Sequence, residues 1–299
     1  MQTRISFLNL GISFENVTGT FQFMGMGVSV YGIIMGIAIL VGIALFLFEM
    51  SHTRKNVDEY AELSIVSVVA GIVGARIFYS IFAGKMSELF VIREGGLLFY
   101  GGLLTAVAAG VAWAYYRDLP MRKTLDVATL GLLVAQIIGR LGEFYNRDYI
   151  GEYTDGLFAM QLSIHSVDVT SVTERMKNHI DVVDGVRCIQ VHPLFLYEMI
   201  LCIVVLIAVG FYRFQKNNDG EIFFLYLFLY SLGKIWLESL HTGGLTMPGF
   251  GLNTVQVLAI LFAIISLGVF IFLRLQGSGN KRKNKLTLSK ELQKKIDKK

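Results

Sequence analysis

Long apolar segments alternate with short polar ones along nearly the whole chain. An apolar window of about 17–25 residues is long enough to cross a bilayer as a helix. The pattern therefore predicts an all-α integral membrane protein with about seven transmembrane helices. The predicted spans lie at about 28–48, 60–82, 95–116, 124–138, 192–212, 221–240 and 252–273.

The polar intervals predict the remaining organisation. The residues before Gly27 mix polar and aromatic side chains, as in a short arm at the membrane interface, and they lack the pattern of a cleavable signal peptide. The interval 140–191 is too polar to cross a bilayer and predicts a small extracytoplasmic insertion, with short strands around 157–165. We therefore divide the chain into a polytopic membrane domain, 1–273, and a basic tail, 274–299.

Composition agrees with the membrane class. Hydrophobic residues make up 54% of the chain and the mean hydropathy is +0.57, whereas soluble domains are about 45–50% apolar. This composition argues against a soluble two-domain enzyme. The two cysteines, Cys188 and Cys202, give neither a disulfide framework nor a metal-ligand pattern. We predict no metal, no cofactor and no nucleic-acid partner.

Basic residues predict the orientation, because cytoplasmic loops carry an excess of lysine and arginine. They occur after the first, third and fifth predicted spans and throughout the tail, whereas the connection after the sixth span has none. This places the C-terminus in the cytoplasm and the interval 140–191 at the outer face. The tail suits contact with anionic headgroups and serves equally as a topology signal.

A dense polar motif at 139–151 follows the fourth apolar segment: Gly-Arg-Leu-Gly-Glu-Phe-Tyr-Asn-Arg-Asp-Tyr-Ile-Gly. An uncompensated guanidinium is costly near hydrocarbon, so Arg140 needs a polar ligand or a partner elsewhere in the chain. Asn146 lies close by, and Glu143 or Asp148 offers a carboxylate. A single arginine at a helix end often snorkels to the interface; the density of glycine and polar residues here favours a site.

Further polar groups lie within other apolar segments. Arg76 lies in the second span, and Gly101 and Gly102 follow Tyr100 in the third, where paired glycines suggest a helix entrance with amides open to an anion. The sixth span carries three titratable side chains at intervals of four residues, which places them on one helix face. These are Tyr230, Lys234 and Glu238.

The motif resembles the signature of the bacterial prolipoprotein diacylglyceryl transferases, Gly-Arg-x-Gly-Asn-Phe-x-Asn-x-Glu-x-x-Gly. Landmarks in the order typical of that family cover roughly 28–273, which makes the resemblance far more specific than one short pattern. They are Tyr31-Gly32, Gly74-Ala75-Arg76 with Tyr79, Phe99-Tyr100-Gly101-Gly102, His192-Pro193, Leu196-Tyr197-Glu198, Tyr230 to Glu238, and Gln256.

The chain departs from the family pattern at four positions. Tyr100 stands where the family has histidine, and Glu143 where it has asparagine. Asp148 replaces the motif glutamate, and Lys234 replaces an arginine. The family fold tolerates these changes, whereas the changes put the family's chemistry in question.

The resemblance implies transfer of a diacylglyceryl group from phosphatidylglycerol to the lipobox cysteine thiol of a preprolipoprotein, with release of glycerol 1-phosphate. It also implies a bacterial plasma (inner) membrane protein in contact with membrane lipid. This chemistry requires an anion site for the leaving phosphate, a group that helps to remove the thiol proton, and a lipid-accessible cavity.

Roles follow for the matching residues. Arg140 is the first choice for the phosphate, because a planar guanidinium matches two phosphate oxygens at once. The predicted catalytic residues are Tyr100, Arg140, Asn146, Tyr230 and Lys234. The predicted substrate-binding residues are Tyr31, Arg76, Gly101, Gly102, Gly142, Glu143, Gly151, Glu198 and Glu238.

The identity of the base has several alternatives. Tyr100 takes the position of the family's histidine, but an unperturbed tyrosine has a pKa of about 10, so nearby cations would have to lower it. His192 and His241 are alternatives by residue type. Glu198 and Glu238 are expected as internal partners for Arg76 or Lys234 rather than as direct catalysts.

Two other functions are compatible with the pattern. The Tyr100 and Glu143 departures would suit a divergent, non-catalytic paralogue that binds lipid or lipoprotein. Intramembrane arginine and lysine also occur in small-molecule transporters, but the sequence shows neither an internal repeat nor paired broken helices.

Overall fold

The computed structural model describes residues 4–23, 26–52, 56–82, 86, 89, 98–243 and 251–296, with the backbone alone at 23, 26, 99–100 and 279–296. Among these residues the fold is mostly helical. The helices are α1 Val30–Ser51, α2 Val57–Phe82, α3 Phe99–Tyr116, α4 Met121–Asn146, α5 Glu174–Lys177, α6 Leu194–Tyr212, α7 Glu221–Leu240 and α8 Thr254–Ile296.

Helices occupy each of the seven positions that the hydropathy pattern predicts. Six of those described are long and apolar enough to cross a membrane, whereas α3 contributes a shorter apolar stretch, Gly101–Tyr116. The chain is thus an integral membrane protein with six candidate spanning helices, and the count of seven remains a prediction.

The fourth helix extends beyond its predicted end at residue 138. It continues through Arg140 and Glu143 to Asn146, because arginine, leucine and glutamate are good helix formers despite their polarity. Arg147 then adopts φ +60°, and its backbone N–H donates to the Glu143 carbonyl at 2.8 Å. The first half of the polar motif is therefore the last two turns of a helix.

Two small antiparallel sheets lie outside the spans, and the residue pattern predicts only the strands around 157–165. Short strands near 157–165 are confirmed by β5, and the N-terminal arm also forms strands. The strands are β1 Ile5–Phe7, β2 Ile12–Phe14, β3 Thr20–Phe23, β4 Met26–Ser29, β5 Met160–Ser163, β6 Asp181–Val183 and β7 Val186–Val191. Five of them pair antiparallel in the order β2-β1-β5-β7-β6, and β3 pairs with β4.

The sheet is held by its own small apolar core. Ile5, Leu162 and Ile189 are each almost fully buried and belong to one cluster. Pairing supplies hydrogen-bond partners for backbone groups that no helix satisfies. Since β7 ends at Val191, immediately before α6, this core fixes the point where the fifth predicted span begins.

The chain divides into two compact units, residues 1–42 with 129–299 and residues 43–128. In the first unit, α1 meets the end of α4 through glycine. A Cβ added at Gly142 would lie 2.9 Å from Cδ2 of Tyr31, and one at Gly42 would lie 2.9 Å from Cβ of Ala135. These contacts require glycine, because a side chain at either position would separate the helices.

In the second unit, α2 and α3 also pack through glycines. A Cβ at Gly101 would lie 2.4 Å from Cβ of Phe78, and one at Gly102 would lie 2.9 Å from the Gly71 carbonyl oxygen. The Gly102 amide already donates to the Leu98 carbonyl at 3.0 Å. The Gly102 amide, which the sequence suggests as a donor to an anion, is therefore already used in a backbone hydrogen bond. Both glycines allow the two helices to pack closely.

This packing predicts a strong effect at Gly74, where an added Cβ would lie 1.8 Å from Oγ1 of Thr105. We expect Gly74→Ala to lower the free energy of unfolding by about 1–3 kcal/mol, as overpacking does, measured by thermal unfolding in detergent. Gly36→Ala is the control, because an added Cβ there meets nothing within 4 Å among the described residues. Equal stability of the two variants would contradict the packing account.

Candidate active site

The centre of the site is the carboxylate of Glu198, in the second turn of α6. The residue is fully buried, yet two neighbouring helices bring donors to it. Arg140 Nη2 on α4 lies 2.6 Å from Oε1, and Lys234 Nζ on α7 lies 2.9 Å from Oε2. The Tyr230 hydroxyl also donates to Oε1. The two cations and the hydroxyl compensate for removing this carboxylate from water.

Lys234 connects this carboxylate to a second one. Its ammonium lies 3.1 Å from Oε1 of Glu238 and donates to the Tyr149 hydroxyl at 2.9 Å. An ammonium has three N–H donors, so Glu198, Glu238 and Tyr149 use all of them. Lys234 therefore acts on any further group through its charge and not through a direct hydrogen bond.

Tyr149 lies beside both cations. Its hydroxyl donates to Oε1 of Glu238 at 3.1 Å, and its ring centroid lies 4.4 Å from Lys234 Nζ and 5.9 Å from Arg140 Cζ. Burial, and then the neighbouring Glu198 and Glu238 carboxylates, raise the pKa of Tyr149 far above its usual range. The phenol thus stays protonated, and its hydroxyl orients Glu238 by donating a hydrogen bond to it.

The second carboxylate, Glu238, has further donors at the end of α7. His241 Nδ1 lies 3.2 Å from its Oε2, and the Asn253 side-chain amide donates to the same oxygen at 2.8 Å. Asn253 also accepts from the Val255 amide at 3.1 Å, as expected of a residue that caps the start of α8. The Glu238 carboxylate therefore ties the end of α7 to the start of α8.

Backbone bonds around Gly151 hold the second half of the motif between α6 and α7. The Gly151 amide donates to the His192 carbonyl at 3.0 Å, and the Glu152 amide donates to the Leu240 carbonyl at 2.9 Å. A Cβ at Gly151 would lie 2.8 Å from Cβ of His192. Gly151 is thus placed for close backbone approach, which gives a packing reason for glycine at the end of the motif.

Arg140 retains donors beyond its ion pairs. Its Nη1 lies 3.7 Å from Glu143 Oε1, a looser contact than that with Glu198, and its side chain is 22% exposed. A guanidinium has five N–H donors in a planar fork, and no other hydrogen bond joins Arg140 to the part of the chain that the structure describes. The remaining donors are available to an anion beside the motif.

Other predicted residues have partners of their own. Asn146, at the exposed end of α4, donates to Asp148 and not to the buried carboxylates. Arg76, Gly101 and Gly102 belong to the second unit, where Arg76 Nε donates to the Leu89 carbonyl at 3.0 Å. The side chain of Tyr100 lies outside the described residues. The expected pairing of Glu198 and Glu238 with Lys234 is confirmed.

Two members of the cluster, Tyr149 and Asn253, are not among the predicted site residues. Tyr149 lies inside the motif, where the neighbouring charged residues give the stronger sequence signal. Asn253 lies at the start of the seventh predicted span, where an asparagine before an apolar run signals a helix cap. His192 is an alternative base by residue type, and its Nδ1 forms a hydrogen bond with the Tyr197 hydroxyl at 3.1 Å. Burial lowers the pKa of His192.

The fold and the cluster define a multi-pass membrane protein that buries a charged site among its helices. Residues 18–272 match the family described as "Prolipoprotein diacylglyceryl transferase". The phosphatidylglycerol-prolipoprotein diacylglyceryl transferase of Clostridioides difficile strain 630 is 29% identical over 276 residues, covering 91% of this chain and 98% of that protein. The proteins of the same name from Bacillus anthracis and Bacillus mycoides strain KBAB4 are 32% identical over 257 residues, covering 84% of this chain and 90% of each. The chain belongs to the prolipoprotein diacylglyceryl transferase family.

The ion pairs at Glu198 predict a large stability effect. Removing the carboxylate in Glu198→Ala leaves Arg140 and Lys234 underpaired, which should cost about 3–5 kcal/mol, measured by thermal unfolding in detergent. Adding Lys234→Met should recover part of the loss, because it removes one of the unpaired cations. Glu174→Ala is the control, since the Glu174 side chain is 83% exposed in its pair with Lys177 and such pairs contribute less than about 1 kcal/mol.

Should Glu198→Ala unfold no earlier than Glu174→Ala, the buried carboxylate would not be what holds the two cations.

Proposed function

We propose that this chain is a phosphatidylglycerol-prolipoprotein diacylglyceryl transferase. The enzyme moves diacylglyceryl from phosphatidylglycerol to the lipobox cysteine thiol of a preprolipoprotein. The observation that carries the proposal is the convergence of Arg140 and Lys234 on the buried Glu198 carboxylate, in a chain of this family. The named activity of the relatives supports the same substrates.

The reaction breaks the carbon–oxygen bond between the glyceryl carbon and the phosphate, and charge grows on the phosphate oxygen as the bond breaks. Donors fixed in advance beside that oxygen stabilise the transition state. Glu198 holds Arg140 from one side through Nη2, which leaves the rest of the guanidinium fork for the phosphate. We assign Arg140 the phosphate contact and Lys234 a supporting charge.

The remaining site residues take supporting parts in the proposal. Tyr230 orients Glu198 through its hydroxyl, and Glu238 orients Lys234. Tyr31 packs against Gly142, two residues along α4 from Arg140. Asn146 and Glu143 lie at the end of this helix, where they approach the headgroup of the bound lipid. The roles that the resemblance implies for Tyr100, Arg76, Gly101 and Gly102 stay predictions.

A direct assay tests this function. The purified protein is incubated with a lipobox peptide and vesicles that contain phosphatidylglycerol, and the peptide is analysed by mass spectrometry. The proposal predicts a mass increase equal to one diacylglyceryl group, with glycerol phosphate released in equal amount. Vesicles of phosphatidylethanolamine alone are the control. Retention of phosphatidylglycerol without modification of the peptide would instead identify a non-catalytic lipid-binding member.

A substitution of Arg140 tests the anion site. Arg140→Ala should lower kcat by about 10²–10³-fold, the usual effect of removing one transition-state donor, measured in the peptide assay. Arg140→Lys should recover only part of the rate, because an ammonium cannot reproduce the planar fork. Arg187→Ala, at an exposed position of β7, is the control for loss of positive charge. Full activity of Arg140→Ala would refute the assigned role.

The proposed localisation is the bacterial plasma membrane, with the C-terminus in the cytoplasm and the motif toward the outer face. The distribution of basic residues supports this orientation. A reporter active only in the cytoplasm should work when fused after Lys299 and should be silent when inserted at the exposed Asn178. The opposite result would remove the access of a secreted preprotein to the motif.

A further inference from the structure

His241 is placed at the end of α7 as an oriented imidazole. Its Nδ1 lies 3.2 Å from Oε2 of Glu238, and its ring centroid lies 4.8 Å from that of Tyr149. The side chain is 16% exposed. Backbone pairing with Gly151 also fixes the residue beside the polar motif. The imidazole is therefore held on two sides and remains open on a third.

The donors around Glu238 determine where the imidazole carries its proton. Lys234 and Tyr149 donate to Oε1, and Asn253 donates to Oε2. An ionised carboxylate only accepts hydrogen bonds, so the contact with His241 requires the proton on Nδ1. Asn253 Nδ2 also lies 3.4 Å from His241 Nδ1, which is a longer contact than its 2.8 Å bond to Glu238 Oε2.

In its neutral form, an imidazole with its proton on Nδ1 presents Nε2 as a proton acceptor. Nε2 has no hydrogen-bond partner within the described residues. A carboxylate that binds one imidazole nitrogen while the other faces a reacting group is the arrangement that orients a general base. Of the groups around this carboxylate, Lys234 is a donor only, and the Asn253 side-chain oxygen already accepts from the Val255 amide. Tyr149 is held protonated by its own surroundings.

The acceptor lies next to the proposed phosphate site. The Tyr149 ring contacts His241 at 4.8 Å between centroids, Lys234 Nζ at 4.4 Å and Arg140 Cζ at 5.9 Å. One ring therefore separates the imidazole from the two cations. A thiol beside His241 and a lipid phosphate beside Arg140 would stand within reach of one glyceryl group.

We infer that His241 accepts the thiol proton in this enzyme and that Glu238 positions it, an inference that rests on the proposed transferase function. Nε2 takes the proton from the cysteine thiol, and the thiolate sulfur attacks the glyceryl carbon of phosphatidylglycerol. A carbon–sulfur bond forms as the carbon–oxygen bond breaks, and the electron pair leaves on glycerol phosphate beside Arg140. The imidazolium then returns its proton to the leaving phosphate or to water.

A pair of acceptor peptides tests the assignment. One carries the lipobox cysteine and the other carries selenocysteine at the same position, because a selenol is largely ionised near neutral pH and needs no base. His241→Gln should slow transfer to the cysteine peptide by about 10²–10⁴-fold, the usual contribution of a positioned base. Its rate with the selenocysteine peptide should stay within about tenfold of wild type. Glu238→Gln should also slow transfer to the cysteine peptide more than transfer to the selenocysteine peptide, by a smaller factor than His241→Gln.

The controls separate the possible failures. His165→Gln, at an exposed position of the insertion, should transfer to both peptides at the wild-type rate. Any loss in Tyr100→Phe should be equal for the two peptides, because Tyr100 does not take the proton in this scheme. An inactive wild type with both peptides would refute the transferase function itself. An active wild type with equal losses for both peptides in His241→Gln, or no loss, would refute the role of His241 alone.

Discussion

The buried carboxylate of Glu198 is the contact on which the arrangement of α4, α6 and α7 depends. A charge removed from water in a membrane protein requires partners of opposite sign, and Arg140, Lys234 and Tyr230 supply them from two neighbouring helices. The same bonds hold Arg140 with part of its guanidinium already engaged and part still open. The Arg140 side chain thus both compensates the buried Glu198 charge and offers donors to an anion. This double use explains why the chain keeps a buried charge cluster where hydrophobic side chains could also pack the helices.

The second half of the site depends on Glu238 in a similar way. Four donors converge on this carboxylate, from Lys234, Tyr149, His241 and Asn253, so that the end of α7, the motif and the start of α8 share one anion. The sheet supports this arrangement from outside the spans, because β7 leads directly into α6 and Gly151 pairs with the ends of both neighbouring helices. A displacement of any of these segments would therefore disturb the orientation of the imidazole and of the lysine together.

Much of this architecture follows from the residue pattern, for physical reasons that differ by element. Apolar length predicts helices well, and the interval of four between Tyr230, Lys234 and Glu238 predicts their common face. The extension of α4 to Asn146 was missed because hydropathy detects membrane boundaries and not helix ends. The N-terminal strands were missed because their partner, β5, lies about 150 residues away in sequence. Pairing of Lys234 with the two glutamates could be anticipated from charge, whereas the choice of Arg140 as the second partner of Glu198 required coordinates.

The central claim is that Arg140, held by Glu198, binds the phosphate of phosphatidylglycerol. The most direct measurement is solid-state NMR of protein with ¹⁵N-labelled arginine in phosphatidylglycerol bilayers, in which ³¹P dephases the signals of nearby guanidinium nitrogens. A hydrogen-bonded guanidinium and phosphate place nitrogen and phosphorus about 4 Å apart. The account predicts a dephased guanidinium signal in the wild type that is absent from Arg140→Lys. Identical dephasing in the two proteins would contradict it.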